Sequence, residues 1–382
     1  MKKKILFVFP TLGVGGTTVS VRNMVSLLEK DGYKCFVMPL YPHGTLQQLY
    51  DNVCFIKTPL VIQALGINSW KNEKKILKKI LFIILRLLRN TFKGFESKVI
   101  ELSLEKTIKE NHIDTIVACQ DGITTKFVSY EKIIPKVAWV RCDYKKKISN
   151  YKRKRERHYD GFKDIVCVSE HTCENFKSVF PEFVNKTHCI ENPQDESLIR
   201  NRADLIEEEP RFIKKGKTIV SIGRLAEIKQ FDKIAPIARK LLDNGIQFRW
   251  YLIGEGRERQ HILDTIQKYE VGNNVIMLGA KTNPYYYIKR ADVLICLSRS
   301  EACPRVINEA KILHTPTIST DFPSIYEFIQ NGETGMISSL ENISTCIYDL
   351  FNDNRLYATL KENINFFNFD NTKLMNKIEG IL

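Results

Sequence analysis

DVLICLSRSEACPRVINEA, residues 292–310, is the stretch whose reading decides the fold. Val293–Leu297 is an unbroken apolar run, too short for a helix and flanked by polar residues. Such a run reads as a strand covered on both faces, the kind found in parallel sheets. Ser298–Ala302 leaves it as a polar loop. Pro304, tolerated in the first turn of a helix, then opens an apolar-periodic segment. Strand, loop and helix in that order make half of a βαβ unit, with the loop at the strand's carboxyl end.

The same pattern recurs in both directions. Further strand-like runs are KTIVSIG (217–223), FRWYLIG (248–254), NVIMLG (274–279) and TPTIST (315–320) in the second half. The first half offers ILFVFP (5–10), KCFVMPL (34–40), VCFIKT (53–58), DTIVAC (114–119), KVAWVR (136–141), DIVCVS (164–169) and THCIEN (187–192). Two series separated by helical stretches predict two doubly wound α/β domains, which also suits a chain of 382 residues. The boundaries read from sequence are 1–195 for the first domain, 196–216 for a polar linker and 217–362 for the second. A last segment, 363–382, has no packing partner legible in its periodicity.

Open α/β sheets bind ligands at the carboxyl ends of their strands, which directs attention to three loops. In 298–310, Glu301 lies in the loop and Glu309 in the helix, while Cys303, Pro304, Arg305 and Val306 form the helix start. Backbone N–H groups there, with the helix dipole behind them, suit an anion. In SIGRLAEIKQFD (221–232), Arg224 and Lys229 follow a strand, and a guanidinium fork with an ammonium suits a diphosphate. In LGVGG (12–16), Gly15 and Gly16 let a ligand approach the backbone closely. No clean G-x-G-x-x-G is present, nor an acidic residue placed for a ribose, so a nicotinamide or flavin cofactor is not expected.

Together these loops carry a resemblance. EACPRVINE (301–309) matches an E-x7-E pattern, and Gly223, Arg224, Leu225 and Lys229 match a G-R-L-x3-K pattern. Supporting segments are GVGG, VCVSE (166–170), ENPQD (191–195), YLIGEG (251–256) and STDFPSIYEFIQNGETG (319–335). The chain resembles the retaining family-4 glycosyltransferases of the GT-B fold, over essentially its whole length. The resemblance implies two Rossmann-like domains facing an interdomain cleft, with 363–382 crossing back to the first. It implies that Arg224 and Lys229 bind the donor diphosphate, Glu309 the ribose hydroxyls, Glu301 the transferred sugar, and Gly16 the phosphates from the opposite domain. Contacts to the base would be largely backbone, near Gly254 and Gly279. No D-x-D motif occurs, so neither a metal nor another cofactor is expected.

Two departures from the family pattern stand out. Relatives often have a histidine where this chain has Arg141 and Cys142, followed by Asp143. An arginine cannot serve as a base near neutral pH. Arg141 either pairs with Asp143 or helps bind an anionic sugar or acceptor. Ala302-Cys303 replaces a more usual glycine and apolar residue.

Charge separates the halves. Residues 1–200 hold 34 Lys and Arg against 21 Asp and Glu, and residues 201–382 hold 24 against 23. An anionic partner for the first half is implied. KNEKKILKKILFIILRLLRNTFK (71–93) reads as a cationic amphipathic helix. Ile76, Leu77, Ile80, Leu81, Ile83, Ile84, Leu87 and Leu88 share one stripe; Lys74, Lys75, Lys78, Arg86 and Arg89 lie off it. It is either a surface helix that packs on its own domain or an interfacial helix that lies on an anionic bilayer. KKKISNYKRKRERHYD (145–160) is a second basic cluster. It lacks the interleaved aromatics of a nucleic-acid stacking platform, so nucleic acid is not expected.

The ten cysteines show no C-x-x-C pair and several sit in strand-like runs, as expected of reduced thiols in a cytoplasm. The apolar stretch after Met1 ends at Pro10, too short for the core of a secretory leader. The seven histidines are dispersed. The expectation is a cytoplasmic hexosyltransferase, peripheral on the inner membrane face. It would move a hexose or N-acetylhexosamine from a UDP- or GDP-sugar to a glycan on a polyprenyl-diphosphate or other lipid carrier. Two alternatives are a GT-B sugar-nucleotide epimerase and a non-catalytic membrane-binding protein on the same scaffold.

Overall fold

The computed structural model describes residues 2–11, 13, 15–41, 53–66, 73–145 and 158–382. It divides into two compact units, Met1–Pro193 with Asn371–Leu382, and Gln194–Asp370.

The first unit holds a seven-stranded sheet in the order β3-β2-β1-β4-β5-β6-β7. Its strands are β1 (Lys4–Thr11), β2 (Lys34–Tyr41), β3 (Cys54–Phe55), β4 (Thr115–Ala118), β5 (Lys136–Val140), β6 (Asp164–Cys167) and β7 (Thr187–Cys189). All neighbours pair parallel. The helices are α1 (Gly16–Lys30), α2 (Leu60–Leu65), α3 (Ile76–Thr91), α4 (Phe95–Asn111), α5 (Ile123–Ser129) and α6 (Glu170–Val179). Leu6, Val8, Ile116, Ala138 and Ile165 are buried in one core with Ile100 and Leu104 of α4 and Phe176 of α6.

The second unit holds a six-stranded sheet in the order β10-β9-β8-β11-β12-β13. The strands are β8 (Lys217–Ile222), β9 (Phe248–Ile253), β10 (Val275–Gly279), β11 (Val293–Cys296), β12 (Thr317–Thr320) and β13 (Met336–Ser338), again all parallel. Around them run α7 (Glu196–Asp204), α8 (Ile234–Asp243), α9 (Arg259–Lys268), α10 (Tyr285–Arg290), α11 (Arg305–Ile312), α12 (Ile343–Asn352) and α13 (Asn354–Asn365). In both sheets the order reverses beside the first strand, between β1 and β4 and between β8 and β11. These are the switch points where chains diverge and leave a crevice.

The stretch 196–216 is not a linker. Asp195 caps α7 by accepting from the Leu198 N–H at 3.1 Å. Ile199 and Ala203 are fully buried, and α7 packs on α10. Beyond it, Glu209 accepts from Arg211 at 2.7 Å and from Lys281 at 2.6 Å, while Arg211 also donates to the Met277 carbonyl at 3.0 Å. The second unit therefore begins at Gln194 and runs to Asp370, where sequence suggested 217–362.

The terminal helix α14 (Asn371–Ile381) lies with the first unit. Its Leu382 carbonyl accepts from Lys3 Nζ at 2.8 Å and from Thr115 Oγ1 at 2.9 Å.

Helix α3 turns its aliphatic stripe outward. Phe82 is buried and Leu85 touches the core, but Ile76, Leu77, Ile80, Leu81, Ile83, Ile84 and Leu87 are all exposed. The helix does pack on its own domain, through Phe82, Leu85 and basic side chains, but it leaves the aliphatic stripe facing outward. Residues 71–72, at the start of the helix read from sequence, and 146–157 of the second basic cluster lie outside the described residues. Among the described residues no helix is long and apolar enough to cross a membrane.

Candidate donor site at the second switch point

The loops after β8 and β11 are tied together. The Arg299 N–H donates to the Ile228 carbonyl at 2.8 Å, joining the loop after β11 to the 3-10 turn Glu227–Lys229. That turn brings Lys229 onto the carboxylate of Glu301, and the two form an ion pair. Ser298 Oγ donates to the same Glu301 oxygen at 2.6 Å, and Ser324 Oγ donates to the Glu301 carbonyl at 2.7 Å. Glu301 is thus held from three sides. Burial pulls the Lys229 ammonium down, but Glu301 and Cys296 outweigh it and the group titrates above its ordinary range. It is a fixed cation.

Arg224 is exposed on a turn whose backbone is clamped. The Gly223 and Leu225 N–H groups each donate at 3.0 Å, to the carbonyls of Ile253 and Glu255. The fit explains Gly254: its φ is 151°, and a Cβ there would stand 1.8 Å from the Gly223 oxygen. A Cβ on Gly256 would stand 2.1 Å from the Leu225 oxygen. Only glycine allows the loop after β9 to lie against the Arg224 turn.

Helix α11 begins beside Glu301. Pro304 occupies its cap position, no side chain caps it, and its first turn carries no acidic residue. The local field there favours an anion. One turn in, Glu309 is buried and receives a charge-assisted bond from Arg305 at 2.8 Å. Cys303 and Val306 are half-buried on either side of Pro304. The structure therefore groups Lys229 with Glu301 and Arg305 with Glu309, at the start of one helix and the switch point of one sheet.

In the first unit, Gly15 and Gly16 begin α1, which likewise has no side-chain cap. Added Cβ atoms at either would meet nothing within 4 Å. Leu12 and Val14 of that loop lie outside the described residues. Arg141 follows β5. Its Nε donates to the Cys119 carbonyl at 2.8 Å and its Nη1 to Asn192 Oδ1. Asp143 turns to α6, accepting from Asn175 Nδ2 at 3.1 Å and standing 3.4 Å from His171 Nε2. The expected alternative of an Arg141–Asp143 pair gives way to these partners. The Arg141 N–H also donates to Asp121 Oδ1 at 3.3 Å. Asp121, Asn192 and Asn175 carry no local signal, because residues 20 to 51 positions apart meet only once the strands are ordered. Ser324 reaches Glu301 from 23 positions away for the same reason, whereas Ser298 lies three residues from Glu301 and its hydroxyl carries no distinguishing pattern in the loop.

Residues 202–365 match the family described as Glycosyl transferases group 1. The second unit belongs to the glycosyl transferases group 1. This group 1 unit carries Arg224, Lys229, Glu301 and Glu309. N-acetyl-alpha-D-glucosaminyl L-malate synthase of Bacillus anthracis is 22% identical over 53% of this chain and 58% of its own length. The amylovoran biosynthesis glycosyltransferase AmsD of Erwinia amylovora is 26% identical over 29% of this chain and 31% of its own. The alignment spans less than two thirds of either relative. Anabaena HepE, solved in complex with UDP and glucose, superposes with a TM-score of 0.76 at 14% identity, covering 99% of each chain. The whole chain thus has the GT-B fold, and its sequence signature lies in the group 1 unit.

Proposed function

We propose that the chain is a retaining glycosyltransferase that moves a hexose or N-acetylhexosamine from a UDP- or GDP-sugar to a glycan acceptor. The observation that carries this reading is the meeting of Lys229 and Glu301 across the β8/β11 switch point, next to the Arg305–Glu309 pair and an uncapped helix start.

Cleaving a glycosyl–diphosphate bond leaves positive charge on the anomeric carbon and negative charge on the departing phosphate. Fixed cations stabilise that separation most when they need not reorganise as it develops. Lys229, held charged, and Arg224 on its clamped turn take the diphosphate, together with the N–H groups at the start of α11. Glu301 accepts from hydroxyls of the transferred sugar. Glu309 accepts from the ribose diol, and Arg305 holds it in orientation through their 2.8 Å bond. In a retaining reaction the leaving phosphate itself can take the proton of the acceptor hydroxyl, so neither carboxylate need act as a nucleophile. No step requires a metal. At the edge of the first sheet, Arg141 is a cation suited to an anionic sugar or acceptor.

The excess of positive charge in residues 1–200 favours a lipid-linked acceptor such as a polyprenyl diphosphate, taken at the cytoplasmic face of a membrane. The likeness to a protein named for amylovoran biosynthesis supports a place in bacterial surface-polysaccharide assembly. A mass-spectrometric transfer assay with a panel of UDP- and GDP-sugars and lipid-linked acceptors tests the reading. A donor-dependent product is expected. Absence of turnover with every donor, in protein that is folded, overturns it.

A further inference from the structure

Helix α3 is amphipathic the wrong way round for a helix packed only on its own domain. Its inner face is polar around Phe82. Arg86 Nε donates to the Ala64 carbonyl at 2.9 Å, and Lys78 Nζ donates to Gln63 at 3.1 Å while pairing with Glu73 at 2.8 Å. Arg89 stands 3.8 Å from Glu96 of α4. The basic side chains that would ordinarily face water are therefore used to fasten the helix to α2 and α4. The outer face is aliphatic, with Leu77 84%, Ile76 75% and Leu87 59% exposed. Phe92, just beyond the helix, is 58% exposed.

A contiguous apolar strip of this kind marks an interaction surface. Its surroundings select the partner. Apart from the inward Lys78, Arg86 and Arg89, the strip is flanked by exposed Lys74, Lys75 and Lys93. A second copy of the helix would bring like charge against like charge. An anionic bilayer offers apolar depth to the strip and headgroup phosphates to the cations beside it. The helix spans about 24 Å, long enough to lie along the surface with exposed Lys74, Lys75 and Lys93 at its two ends.

We infer that α3 is a preformed interfacial anchor that inserts its outward Ile/Leu face into the acyl boundary of an anionic membrane while Arg86 and Lys78 hold it to the domain. The inference deepens the proposal of a lipid-linked acceptor and rests on it for its setting. Vesicle binding needs neither donor nor turnover, so the two can fail separately.

The test is flotation of the full chain with phosphatidylglycerol-containing vesicles and with phosphatidylcholine vesicles, alongside size-exclusion light scattering. Binding at least tenfold stronger to the anionic vesicles is expected. It should fall at least tenfold in the Leu77→Asp/Ile84→Asp double variant, with an unchanged melting temperature because both positions are exposed. Lys74→Glu/Lys75→Glu should weaken it several-fold. Should the Asp variant prove unstable, Ile84→Trp decides: its added emission should shift to the blue and be quenched by brominated lipid. Wild-type vesicle binding retained by the Asp variant, or an Ile84→Trp emission unmoved by vesicles, overturns the inference. So does a dimer that the Asp substitutions split, formed by a chain that binds no vesicles.

Discussion

Lys229 and Glu301, 72 positions apart, form an ion pair at the carboxyl ends of the adjacent strands β8 and β11. Each holds the other in place, and Ser298 and Ser324 hold Glu301 in turn. This pre-set arrangement gives the site a cation whose position does not depend on a mobile side chain. Both side chains are mostly buried, so removing one leaves the other short of a partner.

Lys229→Met should lower transfer by about 100-fold or more, the scale on which one preorganised group at a developing charge acts. Stability should fall by only about 1–3 kcal/mol, since Ser298 still serves Glu301. Transfer kinetics and a denaturant melt on the same preparation check both parts. Equal loss of fold and activity would contradict the assignment.

Gly254 and Gly15 make opposite predictions. Gly254→Ala places a Cβ 1.8 Å from the Gly223 oxygen at a φ of 151°. The backbone must move, at a cost of about 3 kcal/mol or more, visible as a large drop in urea midpoint. Gly15→Ala meets nothing within 4 Å and its φ of 179° is ordinary extended backbone. Its stability should change by less than about 1 kcal/mol, so any loss of transfer in that variant reports on the backbone at the start of α1.

The carboxyl of Glu209 is held down to about 2, first by hydrogen bonds from Arg211 and also by Lys281, against an opposing burial effect. A depressed folded-state value means stability that is fully present above the unfolded value near 4.5 and lost as pH falls towards 2. Glu209→Gln should therefore melt lower than wild type at neutral pH, and the two curves should converge between pH 4.5 and 2. Melting temperature against pH, compared between the two proteins, shows it. A constant gap across that window would contradict the ion-pair account of segment 205–216.

Arg141→Lys keeps the charge but loses the fork that reaches both the Cys119 carbonyl and Asn192. If the guanidinium is needed for placement as well as charge, KM for the acceptor should rise several-fold with little change for the donor. Steady-state kinetics with each substrate varied in turn separates the two.

How much of this was legible beforehand depended on range. Parallel strands announce themselves as continuous apolar runs, so VLIC, TIVA and KVAWV were readable one at a time, and their alternation with helices gave the doubly wound units. β13, Met-Ile-Ser, was missed because three half-buried residues make no such run. Helix α7 was read as linker because only Ile199 and Ala203 of its nine residues reach the core. For α3, periodicity found the aliphatic stripe and could not say which way it faces; that depends on Arg86 reaching the end of α2. The acidic and basic residues of the candidate donor site are recognisable from spacing within each loop. Their pairing across β8 and β11, and the turning of Asp143 away from Arg141 towards His171, follow from strand order, which local sequence does not encode.

The central claim is that Arg224 and Lys229 grip a diphosphate, and calorimetric titration with UDP against UMP, and GDP against GMP, tests it most directly. Wild type should bind one of the diphosphates at least tenfold more tightly than its monophosphate, and Arg224→Ala/Lys229→Ala should abolish that preference while leaving monophosphate binding nearly unchanged. A preference that survives loss of both cations, or no nucleotide binding by the folded wild type, would contradict the account.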